Sequence, residues 1–202
     1  MGNLLIINGS PRAPRSNSKQ YAATLRSHWD GPVEEYLVTE QKHEAICADV
    51  GRYEHLLFVF PLYADGLPVP LMRFLKALEQ YNGTKKPVVH VLVNCGFLEP
   101  EQNAVAVDMI RLFCKKNGFR FGMALCIGSG EAILTTPFSG RAARKIRKFA
   151  QAVKAGESGV LKVTMPLPKR IFIRASTGYW LGLGKKNGLD RAQMETMQIE
   201  GK

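Results

Sequence analysis

Six residues capable of holding an anion fall within nine positions near the start of the chain: Ser10, Arg12, Arg15, Ser16, Asn17 and Ser18, in the stretch NLLIINGSPRAPRSNS (3–18). Hydroxyls, a carboxamide and guanidinium groups at that density are hydrogen-bond donors, and donors backed by positive charge suit a phosphate. The context sharpens this reading. Leu4 to Ile7 form an unbroken apolar run, as in a strand covered on both faces, and from Lys19 onward Tyr21, Ala22, Leu25 and Trp29 follow helical spacing. A strand, a polar loop and a helix in that order aim the free N–H groups of the helix start, and the positive end of its dipole, over the strand tip. Two well-known phosphate loops are absent, since the chain has neither G-x-x-x-x-G-K-[ST] nor G-x-G-x-x-G after this strand. What remains is a loop of Ser, Asn and backbone donors closing on a terminal phosphate, or a Ser/Asn-rich turn that only caps its helix.

The elements that must position this loop decide between the two. VEEYLV (33–38) mixes polar and apolar residues and suits a sheet edge. HLLFVF (55–60) and VVHVLV (88–93) are buried runs, and Phe119 to Ile127 forms the last strand. Between them Leu71, Phe74, Leu75 and Leu78 repeat at helical spacing after Pro70, and a helix from about Glu101 ends at Asn117-Gly118 with Lys115 and Lys116 in its last turn. A final helix carries Ala143, Ile146, Phe149, Ala150 and Val153 on one face. The alternation predicts an α/β fold: a doubly wound, five-stranded parallel sheet of order 2-1-3-4-5 spanning residues 1–156, with a C-terminal helical extension over 157–202. Ligands of such sheets bind beyond the carboxyl ends of strands one, three and four, here GSPRAPRSNS, PLYADGLP and NCGFLEPEQN.

Composition adds limits. A hydrophobic share of 46% and a charged share of 22% are ordinary for a globular chain. No run has the length of a membrane span, and the N-terminus reads as a strand, not a signal peptide. Cys47, Cys95, Cys114 and Cys126 lie far apart and give neither zinc nor cluster spacing, so a reduced, cytoplasmic protein without a metal is expected. The formal charge of +11 admits nucleic acid, an anionic lipid surface or an anionic ligand. Cations are not interleaved with aromatics, so nucleic acid is not expected, and Arg141, Arg144, Lys145, Arg147 and Lys148 read as a solvated helix face. In the extension Ile171, Phe172, Ala175, Tyr179, Trp180 and Leu183 form a stripe with Lys and Arg opposite. A cover of the chain's own domain or a twin subunit is expected there, ahead of a lipid surface.

With these pieces assembled, the chain resembles the flavodoxin-like NAD(P)H-dependent oxidoreductases, the NADPH-dependent FMN reductase group. The resemblance rests on GSPRAPRSNS, FPLYADGLPVPLMRFL, VNCGFLE and W-x-x-x-G-K-K-N-G-L from Trp180, which with the strand pattern cover nearly the whole chain. It implies an FMN flavoprotein with NADPH or NADH as co-substrate, a small-molecule electron acceptor and a homodimer. It also assigns places. Ser10, Ser16, Asn17 and Ser18, with Arg12, would hold the FMN phosphate. Pro61, Leu62, Tyr63 and Ala64 would wall the ring, and Asn94, Cys95, Gly96 and Phe97 would meet its pyrimidine end. Hydride chemistry belongs to the cofactor, so no side chain is assigned a catalytic role. Relatives with an iron–sulfur centre carry a compact cysteine cluster that this sequence lacks. A flavodoxin-type electron carrier and a basic nucleic-acid- or lipid-binding module are the alternatives. His90, in a buried run, reads as a satisfied core histidine, Cys95 as a small apolar residue, and Gly128-Ser129-Gly130 as either a ligand rim or a plain turn.

Overall fold

Leu4–Asn8 (β1), buried at every position, pairs in parallel with Val33–Leu37 (β2) on one side and His55–Pro61 (β3) on the other. The computed structural model describes residues 2–12 and 15–196. Val88–Asn94 (β4) follows β3, and Phe121–Ile127 (β5) follows β4, all parallel. The sheet does not end there. Gly159–Val163 (β6) pairs with β5 from Met123↔Gly159 to Ile127↔Val163, giving six strands in the order 2-1-3-4-5-6. The expectation of five strands is corrected by this edge. GVLKV is short, half exposed and set just after Gly156, so it carries neither a buried run nor a clean alternation. It accordingly occupies the second edge, opposite β2, where one flank needs no cover.

The crossovers are Asn17–Arg26 (α1), His43–Ala48 (α2), Val69–Leu78 (α3), Ala104–Asn117 (α4) and Ser139–Lys154 (α5). Pro70 sits in the first turn of α3, where its missing N–H costs nothing. At the far end of α4, Gly118 takes φ 68°, the left-handed cap that only glycine adopts without strain. One helical layer joins α2, α3 and α4 to a single cluster with Leu5, Phe58, Phe60, Val91 and Ala124 of the sheet. On the other face α1 packs with α5 through Tyr21, Leu25, Ile146 and Phe149, all fully buried. Each such large side chain contributes about 1.5–3 kcal/mol by leaving water. The sheet is therefore a rigid plate whose strand tips are fixed relative to one another.

The chain divides into two compact units, one running to Met165 and the other starting at Pro166. The second contains Lys169–Lys186 (α6) and Arg191–Met194 (α7); residues 197–202 of the expected extension lie outside the described residues. Within this unit α7 folds back so that Met194 meets Gly184, while Leu189 N donates to Gly184 O. The apolar stripe on α6 is exposed, with Tyr179 65% and Trp180 49% accessible.

Candidate functional site

Asn8, the last residue of β1, begins the first loop. Its Oδ1 accepts from Ser10 N at 3.2 Å, and Ser10 Oγ accepts from Arg12 N at 3.3 Å. These two local turns bend the chain tightly around β1's tip. Ser16 then caps α1: its Oγ accepts from Lys19 N at 3.2 Å, which leaves the Asn17 and Ser18 N–H groups as the first of the helix start. An anion placed there meets donors and a positive dipole end, with no carboxylate in the helix's own first turn.

Three further tips are locked to this one. Asn94, at the end of β4 and 3% exposed, donates through Nδ2 to Phe60 O at 3.1 Å and to Ser18 Oγ at 3.4 Å. One carboxamide thus ties the ends of β3 and β4 to α1. Asn17 Nδ2 donates to Gly130 O at 3.2 Å, and the buried Tyr21 hydroxyl donates to the same carbonyl at 2.7 Å. Burial, with Cys95 as a lesser cause, pushes the Tyr21 phenol well above its ordinary range, so it stays a donor. Gly130 is required by packing: a Cβ there would sit 2.8 Å from Asn94 Cβ. The Gly128-Ser129-Gly130 turn, open in the sequence, is thus the anchor of α1's first turn.

A cavity of about 370 Å³ opens above these tips. It brings together Ser10, Arg12, Ser16, Asn17 and Ser18 from the first loop, Pro61 and Tyr63 from the second, and Asn94 from the third. Arg15, Lys19, Gln20 and Glu131 also line it. Arg12, Arg15 and Lys19 against the single Glu131 leave an excess of positive charge, and the exposed Tyr63 offers a flat ring beside it. Lys19 and Gln20 carry no motif of their own, but helix geometry places any first-turn residue at the mouth of the loop. Glu131 has no sequence signal at all. A larger hollow of about 640 Å³ is lined by residues of α2 and α3 such as Cys47 and Arg73 and by Tyr81 beyond α3, and shares no lining residue with the strand-tip cavity.

Leu62, Ala64, Cys95, Gly96 and Phe97 do not line this cavity. Leu62 N instead donates to Asn94 O at 2.7 Å, binding the second tip to the third. Ala64 and Asp65 form a two-residue turn in the left-handed region, φ 46° and 56°, closed by Gly66 N donating to Tyr63 O at 2.9 Å. Cys95 is buried, with Sγ in reach of the Phe97 and Glu99 carbonyls at 3.8 Å and of Asn103 Nδ2 at 3.3 Å. Burial raises its thiol pKa, which makes it an inert apolar residue at neutral pH. Gly96 and Phe97 are exposed at the crest of the same loop.

No family model and no curated protein matches the sequence. Solved structures do. The chain is similar to an FMN-dependent NADH-azoreductase of Bacillus anthracis in complex with FMN, with TM-score 0.60 and 11% identity over 75% of this chain and 99% of that one. It is similar to an NAD(P)H:quinone oxidoreductase of Methanothermobacter marburgensis, with TM-score 0.58 and 14% identity over 76% and 97%. It also matches the Streptococcus pneumoniae TIGR4 flavodoxin, with TM-score 0.57 and 16% identity over 76% and 98%. The chain has the flavodoxin-like fold.

Proposed function

We propose that this chain is an FMN-dependent NAD(P)H oxidoreductase that takes hydride from a nicotinamide and delivers the electrons to a flavin, a quinone or a nitro- or azo-compound. One observation carries the reading: a cation-rich cavity at the carboxyl ends of β1, β3 and β4, with a helix start opening into it and a tyrosine beside it. The fit to FMN follows from this donor set. Asn17 and Ser18 N–H, the Ser10 and Ser16 hydroxyls, and Arg12 with Arg15 suit a dianionic phosphate. Tyr63 and Pro61 suit a planar ring. That similar solved structures include an FMN-dependent NADH-azoreductase and an NAD(P)H:quinone oxidoreductase supports the reading.

When bound, FMN supplies the hydride chemistry. The chain's own residues do the rest. Arg12, Arg15 and Lys19 set the potential that draws in an anionic ligand. Asn94 and Gly130 hold the phosphate-facing turn at a fixed distance from the wall formed by Pro61 and Tyr63. Because these groups are tied to the sheet before any ligand arrives, little ordering cost remains for binding. Leu62, Ala64, Cys95, Gly96 and Phe97 stay in the proposal as the rim a larger ring would reach beyond the cavity.

Titrating the purified protein with FMN and with riboflavin tests the assignment. Tighter binding of FMN by roughly tenfold or more, lost in Arg12→Gln/Arg15→Gln, is the expected result. Equal affinities would remove the phosphate from the cavity. Anaerobic mixing of the FMN-loaded protein with NADPH and with NADH then separates enzyme from carrier. Bleaching by either nucleotide supports the reductase, and bleaching by neither supports the flavodoxin-type carrier, against which the formal charge of +11 already weighs. The homodimer implied by the resemblance is read from light scattering at micromolar concentration.

A further inference from the structure

From Ser158 to Leu189 the sequence contains no Asp or Glu, and α6 lies wholly within that span. At 3.6 residues per turn, Phe172, Ile173, Tyr179, Trp180 and Leu183 share about one third of its circumference. Arg170, Arg174 and Lys185 fall on the opposite side together with Ile171 and Leu181, Lys186 stands at the margin, and Lys169 opens the helix on the apolar arc. Ile173 is 52% accessible and Leu183 38%, and the Tyr179 and Trp180 rings meet edge to face at 5.3 Å. Large apolar residues held in water cost free energy unless something covers them. We propose that α6 is a peripheral membrane element that lies in the headgroup region of an anionic lipid bilayer, with Trp180 and its neighbours inserted and the cations engaging lipid phosphates.

Three arguments select this occupant. The first is charge. A second copy of α6 would bring Arg174 onto Arg174 in parallel pairing, or Arg170 onto Lys185 and Lys186 in antiparallel pairing, with no acid on the helix to relieve either. An anionic surface complements every one of these residues. The second is the placing of aromatic and aliphatic side chains. Nucleic acid is held by aromatics set among cations in one groove, whereas here Ile173 and Leu183 accompany the rings and, Lys169 apart, the cations lie to the side or behind them. The third is length and polarity. No helix among the described residues is long and apolar enough to cross a membrane, and α6, with an exposed ring pair and no acid, suits a surface and not a span. Long Arg and Lys stems reach from the polar side to the headgroups while the apolar face sits below them.

The test uses the full chain and vesicles of phosphatidylglycerol with phosphatidylcholine, against phosphatidylcholine alone. The chain has two tryptophans, and Trp29 is buried, so a change in emission on binding reports Trp180. Co-sedimentation with the anionic vesicles only, a blue shift of emission and release by salt are expected. Replacing Arg170, Arg174 or Lys185 by Gln should weaken partitioning about fivefold each, and Trp180→Ser should abolish it. These side chains are exposed, so circular dichroism of the variants should match the parent. Equal binding to neutral and anionic vesicles overturns the proposal, as does no binding to either. So does binding that survives the triple Gln variant but is lost when Arg141, Arg144, Lys145 and Lys148 of α5 become Gln, since the surface would then be α5. A dimer split by Trp180→Ser without vesicle binding assigns the face to a second copy, and an oligonucleotide shift without vesicle binding assigns it to nucleic acid; either result overturns the proposal. No readout involves flavin, so the outcome is independent of the proposed reductase activity.

Discussion

Two buried polar clusters of the first unit use similar chemistry to opposite ends. In one, His90 Nδ1 accepts from Met123 N at 3.0 Å, which fixes the ring proton on Nε2, and Nε2 lies 3.2 Å from His55 Nδ1. The buried His90 ring thus has both of its nitrogens engaged within the fold. In the other, Asn94, Asn17, Ser18 and Gly130 also bind one another, yet the helix start they hold in place opens into a cavity lined by three cations. The difference separates a polar group that completes the core from one that serves as a frame. A closed cluster has spent its hydrogen-bonding capacity, whereas a frame keeps donors facing outward.

The largest expected effect comes from breaking the frame at its tightest point. Gly130→Ala would drive a methyl against Asn94 Cβ and Cys95 O, and we expect it to destabilise the protein by about 3 kcal/mol in urea titration. FMN affinity should fall with it, because the Gly130 carbonyl anchors Asn17. A variant of parental stability would mean the turn after β5 is looser than its packing implies. Next in size is Ser16→Ala/Asn17→Ala. The Ser16 hydroxyl is lost as a donor to the anion and the Asn17 carboxamide no longer ties the helix start to Gly130, so FMN should bind roughly 30-fold more weakly, about 2 kcal/mol, as read by flavin fluorescence. The protein without ligand should lose only about 1 kcal/mol, the worth of a helix cap. A larger loss of stability than of affinity would make this loop a plain cap.

The closed cluster answers to pH instead. Burial, then His55 and Arg120, lowers the His90 pKa to about 3, while an unfolded histidine titrates near 6.5. Above pH 6.5 both states are neutral and the stability is fully present. As pH falls from there toward the folded value, only the unfolded chain takes the proton, and stability drops by about 1 kcal/mol per pH unit. Denaturant midpoints at pH 7.5 and pH 5 should therefore differ, and His90→Asn should flatten the slope. An unchanged slope would show that water reaches His90.

The sequence made the frame easier to see than the closed cluster. Serines, asparagines and arginines packed behind an apolar run announce a helix start over a strand tip, and His43, His55 and His90 announce nothing by spacing. Even so, local pattern could not reveal that Asn94, expected to contact ligand directly, is buried to 3% and bonded to Phe60 and Ser18. Neither could it bring Glu131 to the cavity, 113 positions beyond Ser18. The four central strands were legible because burial on both faces writes an unbroken apolar run. β6 was not, because an edge strand of five residues is half exposed and reads like loop.

The smallest effect is also the most discriminating, because it tests whether the second tip belongs to the frame. Ala64 and Asp65 both take positive φ in the turn between Tyr63 and Gly66, a conformation that costs a residue with a Cβ about 1 kcal/mol. Ala64→Gly removes that strain but adds freedom to the unfolded chain, so the net gain in stability should be about 0.5 kcal/mol. If the turn is only a connection, FMN affinity stays as it was. If its backbone meets the ring, as the proposed rim requires, a looser turn holds its donors less firmly, and affinity should fall a few-fold while stability rises. Stability and affinity moving in opposite directions would then tie the strain to binding. A rise in stability with no change in affinity would confine the ligand to the first loop, Pro61 and Tyr63.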